Sequence, residues 1–252
     1  MEKWGSGMEL GQPIAVGNTA KIYLYKDSIL KLFNKNAPIH AAQYEAEKQR
    51  AIYQLGLPVP KILDVLTVNG SQAIIMEHIK GKSLGDLFFE NVEQRDFYLE
   101  TSIDIQIKIH KLRAAQLEFM SVKLTKQIHS ATDVSDSKKA ELIAKLDALE
   151  YENKLCHGDF HLFNLISSDN QIYIIDWVDA SLGDIRADVY RTYLLYKTES
   201  DELAEQYLTL YSKKSGISIA EILIWEEIVS AARLSENISV EERNRLLKLL
   251  NH

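Results

Sequence analysis

Asp159, Asn164 and Asp176 are the residues whose types and spacing point most directly to chemistry in this chain. An amide oxygen beside a carboxylate suits Mg²⁺, a hard cation that takes oxygen ligands and usually keeps phosphate oxygens and water as well. Asp159 lies five residues before Asn164, where its carboxylate could orient a substrate hydroxyl towards a metal-bound phosphate. Together the three residues predict a site for phosphoryl transfer.

The sequence between the two oxygen ligands predicts a β-hairpin. Residues 165–167 read as one strand, residues 168–170 as a turn, and residues 171–175 as the returning strand. Antiparallel pairing would bring the side chains of Asn164 and Asp176 close together at the open end of the hairpin. The alternative is a plain turn in which Asp and Asn serve only as turn residues. The second acid beyond the hairpin favours the metal site.

Residues 157–164 read His-Gly-Asp-Phe-His-Leu-Phe-Asn, and the later acid stands in the sequence Ile-Asp-Trp. This pattern resembles the catalytic and metal-binding loops of the aminoglycoside phosphotransferase and choline kinase superfamily, relatives of the protein kinases that act on small molecules. The resemblance implies that Asp159 is the catalytic base or the acid that orients the acceptor, and that Asn164 and Asp176 hold Mg²⁺. It also implies ATP or GTP as the phosphate donor.

The same resemblance gives a supporting role to His157, His161 and Asp188. His161 occupies the position at which protein kinases carry a phosphate-contacting lysine, and packing beneath the loop is the alternative. Asp188 precedes a helical stretch over residues 189–196 and would accept hydrogen bonds from backbone N–H groups of the catalytic loop. An ordinary helix cap is the alternative for Asp188. Between the metal loop and this helix, Asp179 and Asp184 face either an acceptor amine or water.

Two strands near the start of the chain flank a loop that could cover the nucleotide phosphates. The strands are predicted over residues 14–16 and 21–25. A glycine and free backbone N–H groups allow such a loop to approach anions, although many hairpin turns also contain one glycine. The resemblance implies that the nucleotide contacts come from Gly17, Asn18 and Thr19.

A lysine on the next strand needs an acidic partner. Residues 28–33 are apolar except for Lys31, which alone reads as a solvated residue and which the resemblance places against the α- and β-phosphates. The helix predicted over residues 39–55 offers Glu45 and Glu47. Glu45 shares its face with small and apolar residues, whereas Glu47 lies about 200° further round the helix. A Lys31–Glu45 ion pair is therefore favoured, and it would fix a flexible lysine in place.

A hairpin and a hinge follow this helix. Residues 65–68 and 73–76 predict two strands around the turn Asn69-Gly70. The segment that begins with Glu77 looks like the hinge of a kinase. The backbone of Glu77 and Ile79 could bind adenine there.

These elements favour an α+β, two-lobed protein-kinase-like fold. Residues 1–78 would form a small N-terminal nucleotide-binding lobe, an antiparallel sheet with one main helix. Residues 79–252 would form a larger, mainly helical C-terminal lobe with the catalytic loop, the metal loop and acceptor-binding helices. Residues 102–109 alternate between polar and apolar types, which favours a strand, but residues 90–117 are rich in helix formers and contain no Gly or Pro. We therefore predict a helix here, followed by His110 as a core or capping residue.

Local signals define the C-terminal helices. Two serine–glutamate pairs have the spacing of a capping box and precede apolar runs. Gly216 is expected to end an earlier helix that begins near Asp201. The pairs are Ser218 with Glu221 and Ser239 with Glu242, and the helices that they predict cover residues 219–234 and 240–250.

Composition excludes several classes of protein. The 252 residues are 46% hydrophobic and have a formal net charge of −7, which argues against a nucleic-acid partner and is compatible with a cationic acceptor. No apolar run approaches the length of a membrane span, and residues 1–7 lack the apolar region of a secretory signal. The single cysteine, Cys156, excludes an internal disulfide and favours a cytoplasmic location; a buried, inert thiol is expected.

The sequence as a whole predicts a phosphotransferase that moves the γ-phosphate of ATP or GTP to a hydroxyl of a small molecule. Aminoglycoside-like antibiotics, choline or ethanolamine, and sugars are the acceptors that the resemblance offers, and the short chain argues against a large polycationic one. The span from Asp176 to Asp188 is too short for the peptide-binding segment of a protein kinase. The alternative is a pseudokinase that binds partners, which loss of Lys31, Asp159 or Asp176 would favour; all three are present. The oligomeric state stays open.

Overall fold

The computed structural model describes residues 10–250. Residues 1–7, for which the sequence analysis predicts no secretory signal, lie outside this range. The strands are β1 (Ala15–Val16), β2 (Ala20–Tyr25), β3 (Ser28–Phe33), β4 (Ile62–Val68), β5 (Ser71–Glu77), β6 (Lys82–Ser83), β7 (Lys154–Cys156), β8 (Leu165–Ser168), β9 (Gln171–Ile174) and β10 (Ser181–Gly183). The helices are α1 (Ala41–Gln54), α2 (Leu84–Glu90), α3 (Arg95–Ile109), α4 (Met120–Ser130), α5 (Asp136–Ala148), α6 (Ile185–Glu199), α7 (Asp201–Ser215), α8 (Ile219–Leu223), α9 (Glu226–Arg233) and α10 (Val240–Leu250).

The chain divides into two compact units. Among the described residues, unit one contains residues 10–87 together with residues 163–178, and unit two contains residues 88–162 together with residues 179–250. The boundary predicted between residues 78 and 79 stays a prediction. Within residues 10–250, no helix has both the length and the apolar character needed to cross a membrane.

Unit one contains the antiparallel sheet that the sequence predicts. Its strand order is β1-β2-β3-β5-β4. One face packs around Leu30 and Ile75, and the other, with Phe33 and Ile74, packs against Ala46 of α1. Because side chains alternate along a strand, Lys31 points to the same face as Phe33, towards α1.

Two hairpins in unit one confirm the predicted turns. Between β4 and β5, Asn69 and Gly70 both have positive φ, 51° and 80°, as the turns that suit a two-residue hairpin require. Between β8 and β9, Asp169 and Asn170 have φ of 46° and 64°. The strand β8 lies between β6 and β9 in a separate three-stranded sheet.

The segment with ambiguous periodicity is helical, as predicted, and forms the second half of α3. Its alternating pattern arises because two polar residues, Ser102 and Gln106, lie on the buried face. The Ser102 hydroxyl donates to the carbonyl of Leu99 at 2.7 Å, and the Gln106 amide donates to the Thr192 hydroxyl at 3.2 Å. Buried polar groups that have hydrogen-bond partners cost little free energy. The helix therefore tolerates an alternating pattern that is typical of a strand.

The C-terminal helices follow the predicted caps, with one correction. Gly216 ends α7 with φ of 78°, and Ser218 starts α8 with a complete capping box. The single helix predicted over residues 219–234 is wrong, because the chain turns between α8 and α9. Trp225 in this turn is fully buried, and its indole N–H donates to the carboxylate of Asp184 at 3.0 Å.

Candidate active site

Lys31 lies in unit one with its ammonium group between two carboxylates. The Nζ atom is 2.6 Å from Oε1 of Glu45 and 3.4 Å from Oδ1 of Asp176. Burial opposes the charge on Lys31, but the charges and hydrogen bonds of Asp176 and Glu45 outweigh it and raise the pKa of the lysine. The predicted Lys31–Glu45 pair is present, and the competing acid, Glu47, is exposed and accepts a hydrogen bond from Gln43 instead.

Helix α1 brings Glu45 to the sheet because that acid belongs to its buried face. Ala42, Ala46 and Gln49 share this face, at the spacings that line up one side of a helix. Lys48 of the same helix donates from Nζ to the carbonyl of Val178 at 2.8 Å. This bond ties α1 to the segment that follows Asp176, so the helix that carries Glu45 also restrains the predicted metal loop.

The predicted metal ligands lie at the open end of the hairpin β8–β9: Asn164 directly precedes β8, and Asp176 follows β9. The N–H of Ile175 donates to the carbonyl of Asn164 at 3.0 Å, which closes the open end of the hairpin as expected. Asn164 is buried, whereas the Asp176 side chain is 41% exposed. Asp176 has φ of 61°, a conformation that costs free energy in residues other than glycine and that is found where the surrounding structure fixes it.

A cavity of about 320 Å³ lies in unit one beside the Lys31 cluster. This volume lies in the range of small-ligand sites. Lys31, Glu45 and Asp176 form part of its wall, together with Glu77 and Ile79 of the predicted hinge. Its apolar wall includes Ile14, Ile22, Ile29, Met76, Ile166 and Ile175.

The predicted phosphate loop, residues 17–19, does not contribute to the lining of this cavity. The Gly17 N–H donates to the carbonyl of Ala20 at 2.9 Å. Asn34 holds the carbonyls of both Asn18 and Thr19 at 2.9 Å, through its side-chain amide and its backbone N–H. The loop is therefore tied to the end of β3, and its role with phosphates stays a prediction.

Asp159 lies in unit two among cationic and histidine side chains. Its Oδ2 is 3.6 Å from Nε2 of His161, and its Oδ1 is 3.9 Å from Nη2 of Arg191. Its backbone N–H donates to Nδ1 of His157 at 3.2 Å, and the His157 ring is fully buried. Burial opposes ionisation of Asp159, but the polar interaction with His161 and the charge of Arg191 outweigh it, so the pKa lies well below its usual range. The carboxylate is ionised at neutral pH.

Gly158, the residue before Asp159, has a backbone that only glycine adopts without strain. Its φ is 81°, and a Cβ atom there would lie 2.5 Å from the carbonyl oxygen of Asp179. The two carboxylate oxygens of Asp188 accept the N–H groups of Gly158, at 2.7 Å, and His157, at 3.2 Å. The expected bonds from Asp188 to the backbone of this loop are therefore present.

Asp188 is completely buried and has a histidine behind it. Nε2 of His110 lies 2.9 Å from Oδ2 of Asp188, and Nδ1 of the same ring lies 2.8 Å from the Tyr211 hydroxyl. Burial opposes the charge of Asp188, but the hydrogen bond and charge of His110 and the N–H of Gly158 lower its pKa. The helix-cap alternative is wrong, because α6 begins earlier and Asp184 is its N-cap.

The remaining acids of this region pair with cations of the protein. Asp184 accepts hydrogen bonds from Arg186 and Trp225 and is buried, so it faces neither water nor an acceptor amine. Asp179 lies 2.6 Å from Nζ of Lys123, which also donates to the Asp179 carbonyl at 2.8 Å.

Sequence reasoning assigns no role to His110, Lys123 and Arg191, which contact predicted residues, or to Lys48, which bonds the chain two residues after Asp176. A usable signal existed for Arg191, which follows Asp188 by three positions and therefore shares its helix face. No local pattern marks Lys48 or Lys123, which read as solvated helix residues. His110 carries only the expectation of a buried or capping ring.

Comparison with known proteins gives the chain a family. The profile of the phosphotransferase enzyme family matches residues 11–222. Human acyl-CoA dehydrogenase family member 11 is 26% identical over 211 residues, which are 73% of this chain and 27% of that protein. The chain thus spans only about a quarter of the length of that relative. A LicA homolog from Mycoplasma capricolum is 26% identical over 203 residues, 79% of this chain and 78% of that protein.

Solved structures give the fold. An aminoglycoside phosphotransferase in a ternary complex with ADP and hygromycin B superposes with a TM-score of 0.70 at 14% identity, covering 96% of this chain and 93% of that one. The choline kinase LicA from Streptococcus pneumoniae superposes with a TM-score of 0.64 at 19% identity, covering 97% and 94%. The predicted α+β, protein-kinase-like fold is confirmed. With the family profile covering most of its length, the chain belongs to the phosphotransferase enzyme family.

Proposed function

We propose that the protein transfers the γ-phosphate of ATP or GTP to a hydroxyl group of a small molecule. One observation carries this proposal. Lys31 pairs with Glu45 at 2.6 Å and with Asp176 at 3.4 Å on the wall of a cavity with apolar sides. An apolar wall suits a purine base, and a lysine fixed by carboxylates suits the phosphates attached to it.

The donor is held by unit one in this proposal. The base would lie between isoleucine side chains of the cavity and bond the backbone of Glu77 and Ile79. Lys31, oriented by Glu45, would contact the α- and β-phosphates. Gly17, Asn18 and Thr19 would reach the phosphates through their loop, although the Gly17 N–H is already engaged with Ala20.

Asn164 and Asp176 fit a divalent cation by the chemistry of their donor atoms. An amide oxygen and a carboxylate oxygen at the open end of one hairpin are ligands that Mg²⁺ prefers, and Asp176 is accessible. Mg²⁺ held there would neutralise phosphate charge when the donor is bound. Lys48 supports this assignment, because its bond to Val178 restrains the backbone next to Asp176.

Asp159 would act on the acceptor. Because its carboxylate is ionised, it can accept a hydrogen bond from the acceptor hydroxyl, align the oxygen and take the proton as the bond to phosphorus forms. A low pKa makes it a weak base, so alignment is its larger contribution. Asp188 and His157 would hold the loop. His161, whose Nε2 lies 3.6 Å from the carboxylate of Asp159, would help to keep that carboxylate ionised.

We propose a small acceptor over a large polycation. Asp179 forms an ion pair with Lys123, and Glu236 forms ion pairs with Arg191 and Arg233. A polycationic antibiotic would have to displace these cations, whereas choline, ethanolamine or a sugar needs at most one acidic contact. The similar structures contain hygromycin B in one case and are named a choline kinase in the other, so both classes belong in a test. A cytoplasmic location is part of the proposal and rests on the free, buried thiol of Cys156.

The test is a screen of nucleotide consumption with Mg²⁺ and ATP or GTP against aminoglycosides, macrolides, choline, ethanolamine and sugars. We expect turnover that depends on one acceptor class and that disappears in the Asp159→Asn variant, the control for contaminating kinases. Nucleotide binding without transfer to any hydroxyl compound would contradict the proposal and favour a pseudokinase that binds partners.

A further inference from the structure

Arg191 is a cation on α6 with 12% of its side chain exposed, and it contacts the catalytic loop in two ways. Its Nε donates to the carbonyl of Gly158 at 3.2 Å, and its Nη2 lies 3.9 Å from Oδ1 of Asp159. The second distance is too long for a hydrogen bond, so Arg191 acts on the carboxylate through its charge. The bond to Gly158 is directional and fixes the backbone directly before Asp159.

Arg191 and Asp188 hold opposite sides of the same residue. Asp188 accepts the Gly158 N–H at 2.7 Å, while Arg191 donates to the Gly158 carbonyl. The two residues lie three positions apart on α6 and so share one face of the helix. With both its donor and its acceptor engaged by one helix, Gly158 has little freedom to rotate, and the direction of Asp159 is set with it.

Glu236 restrains Arg191 from the other side. Its Oε2 accepts from Nη2 of Arg191 at 2.9 Å and from Nη1 of Arg233 at 2.5 Å. Arg233 in turn donates to Glu242 of α10 at 2.7 Å. Alternating charges therefore run from Asp159 through Arg191, Glu236 and Arg233 to the C-terminal helices. A planar guanidinium presents its N–H groups in a fixed fork, so one Arg191 side chain bonds the Gly158 carbonyl through Nε and the Glu236 carboxylate through Nη2 in a single geometry.

We propose that Arg191 is a positioning residue for Asp159: it fixes the Gly158 backbone and the direction of the catalytic carboxylate, and Glu236 holds it in that place. The inference rests on the proposed function, because it assigns a task to Asp159. Arg191 touches no reacting atom in this scheme, so its loss should lower kcat and leave KM for the acceptor and the affinity for ADP unchanged.

The experiment compares Arg191→Met and Arg191→Lys with the matched control Arg186→Met. Arg186 lies on the same helix and pairs with a carboxylate, that of Asp184, at 2.5 Å, without contacting the catalytic loop. Using the acceptor with the highest turnover in the screen, we expect Arg191→Met to lower kcat by about 10- to 100-fold, as misplacement of a catalytic group does. Arg191→Lys should lie between this variant and wild type, and Arg186→Met should match wild type in kcat.

Two results would overturn the inference. One is a kcat of Arg191→Met within twofold of the control, and the other is a raised acceptor KM with unchanged kcat, which would make Arg191 a binding residue. If wild type transfers phosphate to no acceptor, the proposed function fails, and amide hydrogen exchange over residues 157–162 decides the inference alone. Faster exchange in Arg191→Met than in Arg186→Met supports it, and equal exchange refutes it. Should Arg191→Met not fold, Arg191→Lys takes its place in both measurements.

Discussion

Lys31 in unit one and Asp159 in unit two are held in place by different means. Lys31 contacts the carboxylates of Glu45 and Asp176 directly, side chain to side chain. Asp159 has the side chains of His161 and Arg191 at 3.6 and 3.9 Å, while hydrogen bonds to the backbone beside it come from Asp188 and Arg191. A substitution in the first region removes a side-chain contact, whereas a substitution around the second changes the conformation of a loop.

This difference has a consequence for energetics. The Lys31 cluster borders a cavity and includes a carboxylate that is 41% exposed, so water can partly replace a lost partner. Asp188 is completely buried, and the N–H groups that it accepts would have no such replacement. We therefore expect substitutions in the Lys31 cluster to lower activity with little loss of stability. Substitutions of Asp188 should lower activity and stability together.

The largest effect is expected for Asp159→Asn. The substitution keeps the size of the side chain but removes the charge that, in the proposed function, aligns the acceptor and takes its proton, so turnover should fall by about 10²–10⁴-fold. The affinity for Mg²⁺ and ADP, measured by calorimetry, should change little because Asn164 and Asp176 remain. Turnover equal to wild type would show that Asp159 is not the catalytic residue.

A smaller loss is expected for Glu45→Gln, with Glu47→Gln as its matched control two residues along α1. Gln at position 45 keeps the shape but weakens the hold on Lys31, and we expect kcat to fall by about 10- to 100-fold, the cost of a misplaced group. The melting temperature should fall far less than it does when Asp188 is substituted. Glu47 is exposed and, among residues 10–250, bonds only within α1, so its variant should match wild type. Equal losses in both variants would mean that the Lys31–Glu45 pair has no task in transfer.

The same contrast explains how much of the site could be read from the sequence. Glu45 could be predicted because helical periodicity separates it from Glu47. The β8–β9 hairpin could be predicted because turn residues mark it. Asp184 stands in the usual N-cap position, directly before α6, but this role was missed because the predicted helix began only at residue 189.

The supporting contacts of unit two had no such signal. His110 contacts Asp188 only when α3 and α6 pack together. Arg191 pairs with Glu236, which lies 45 residues further along the chain. The break between α8 and α9 likewise depends on Trp225 reaching Asp184. Local patterns predict which side chains belong to a helix face, but the identity of a partner on another element depends on tertiary packing.

Asp188→Asn sharpens the comparison from the side of stability. One oxygen of the carboxylate becomes an NH₂ group, so one of the two backbone N–H groups of His157 and Gly158 loses its acceptor. A buried donor without a partner costs about 1–3 kcal/mol, and the free energy of unfolding, measured by urea titration at neutral pH, should fall by this amount. Turnover should fall as well, because the loop before Asp159 is released. A variant with wild-type stability and reduced turnover would contradict the expected coupling.

The smallest effect is a dependence of this stability difference on pH. The pKa of Asp188 is lowered in the folded protein: burial opposes ionisation, but His110 and the N–H of Gly158 outweigh it. A carboxyl with a lowered pKa stabilises the fold above its unfolded value, about 4, and this contribution is lost as the pH falls through the folded value. The difference in unfolding free energy between wild type and Asp188→Asn should therefore be full at neutral pH and shrink below about pH 4. The control is Asp27→Asn, which removes a carboxylate whose side chain is 96% exposed. A difference that stays constant down to the acid limit of folding would show that the loop needs an oxygen acceptor at Asp188 but not its charge.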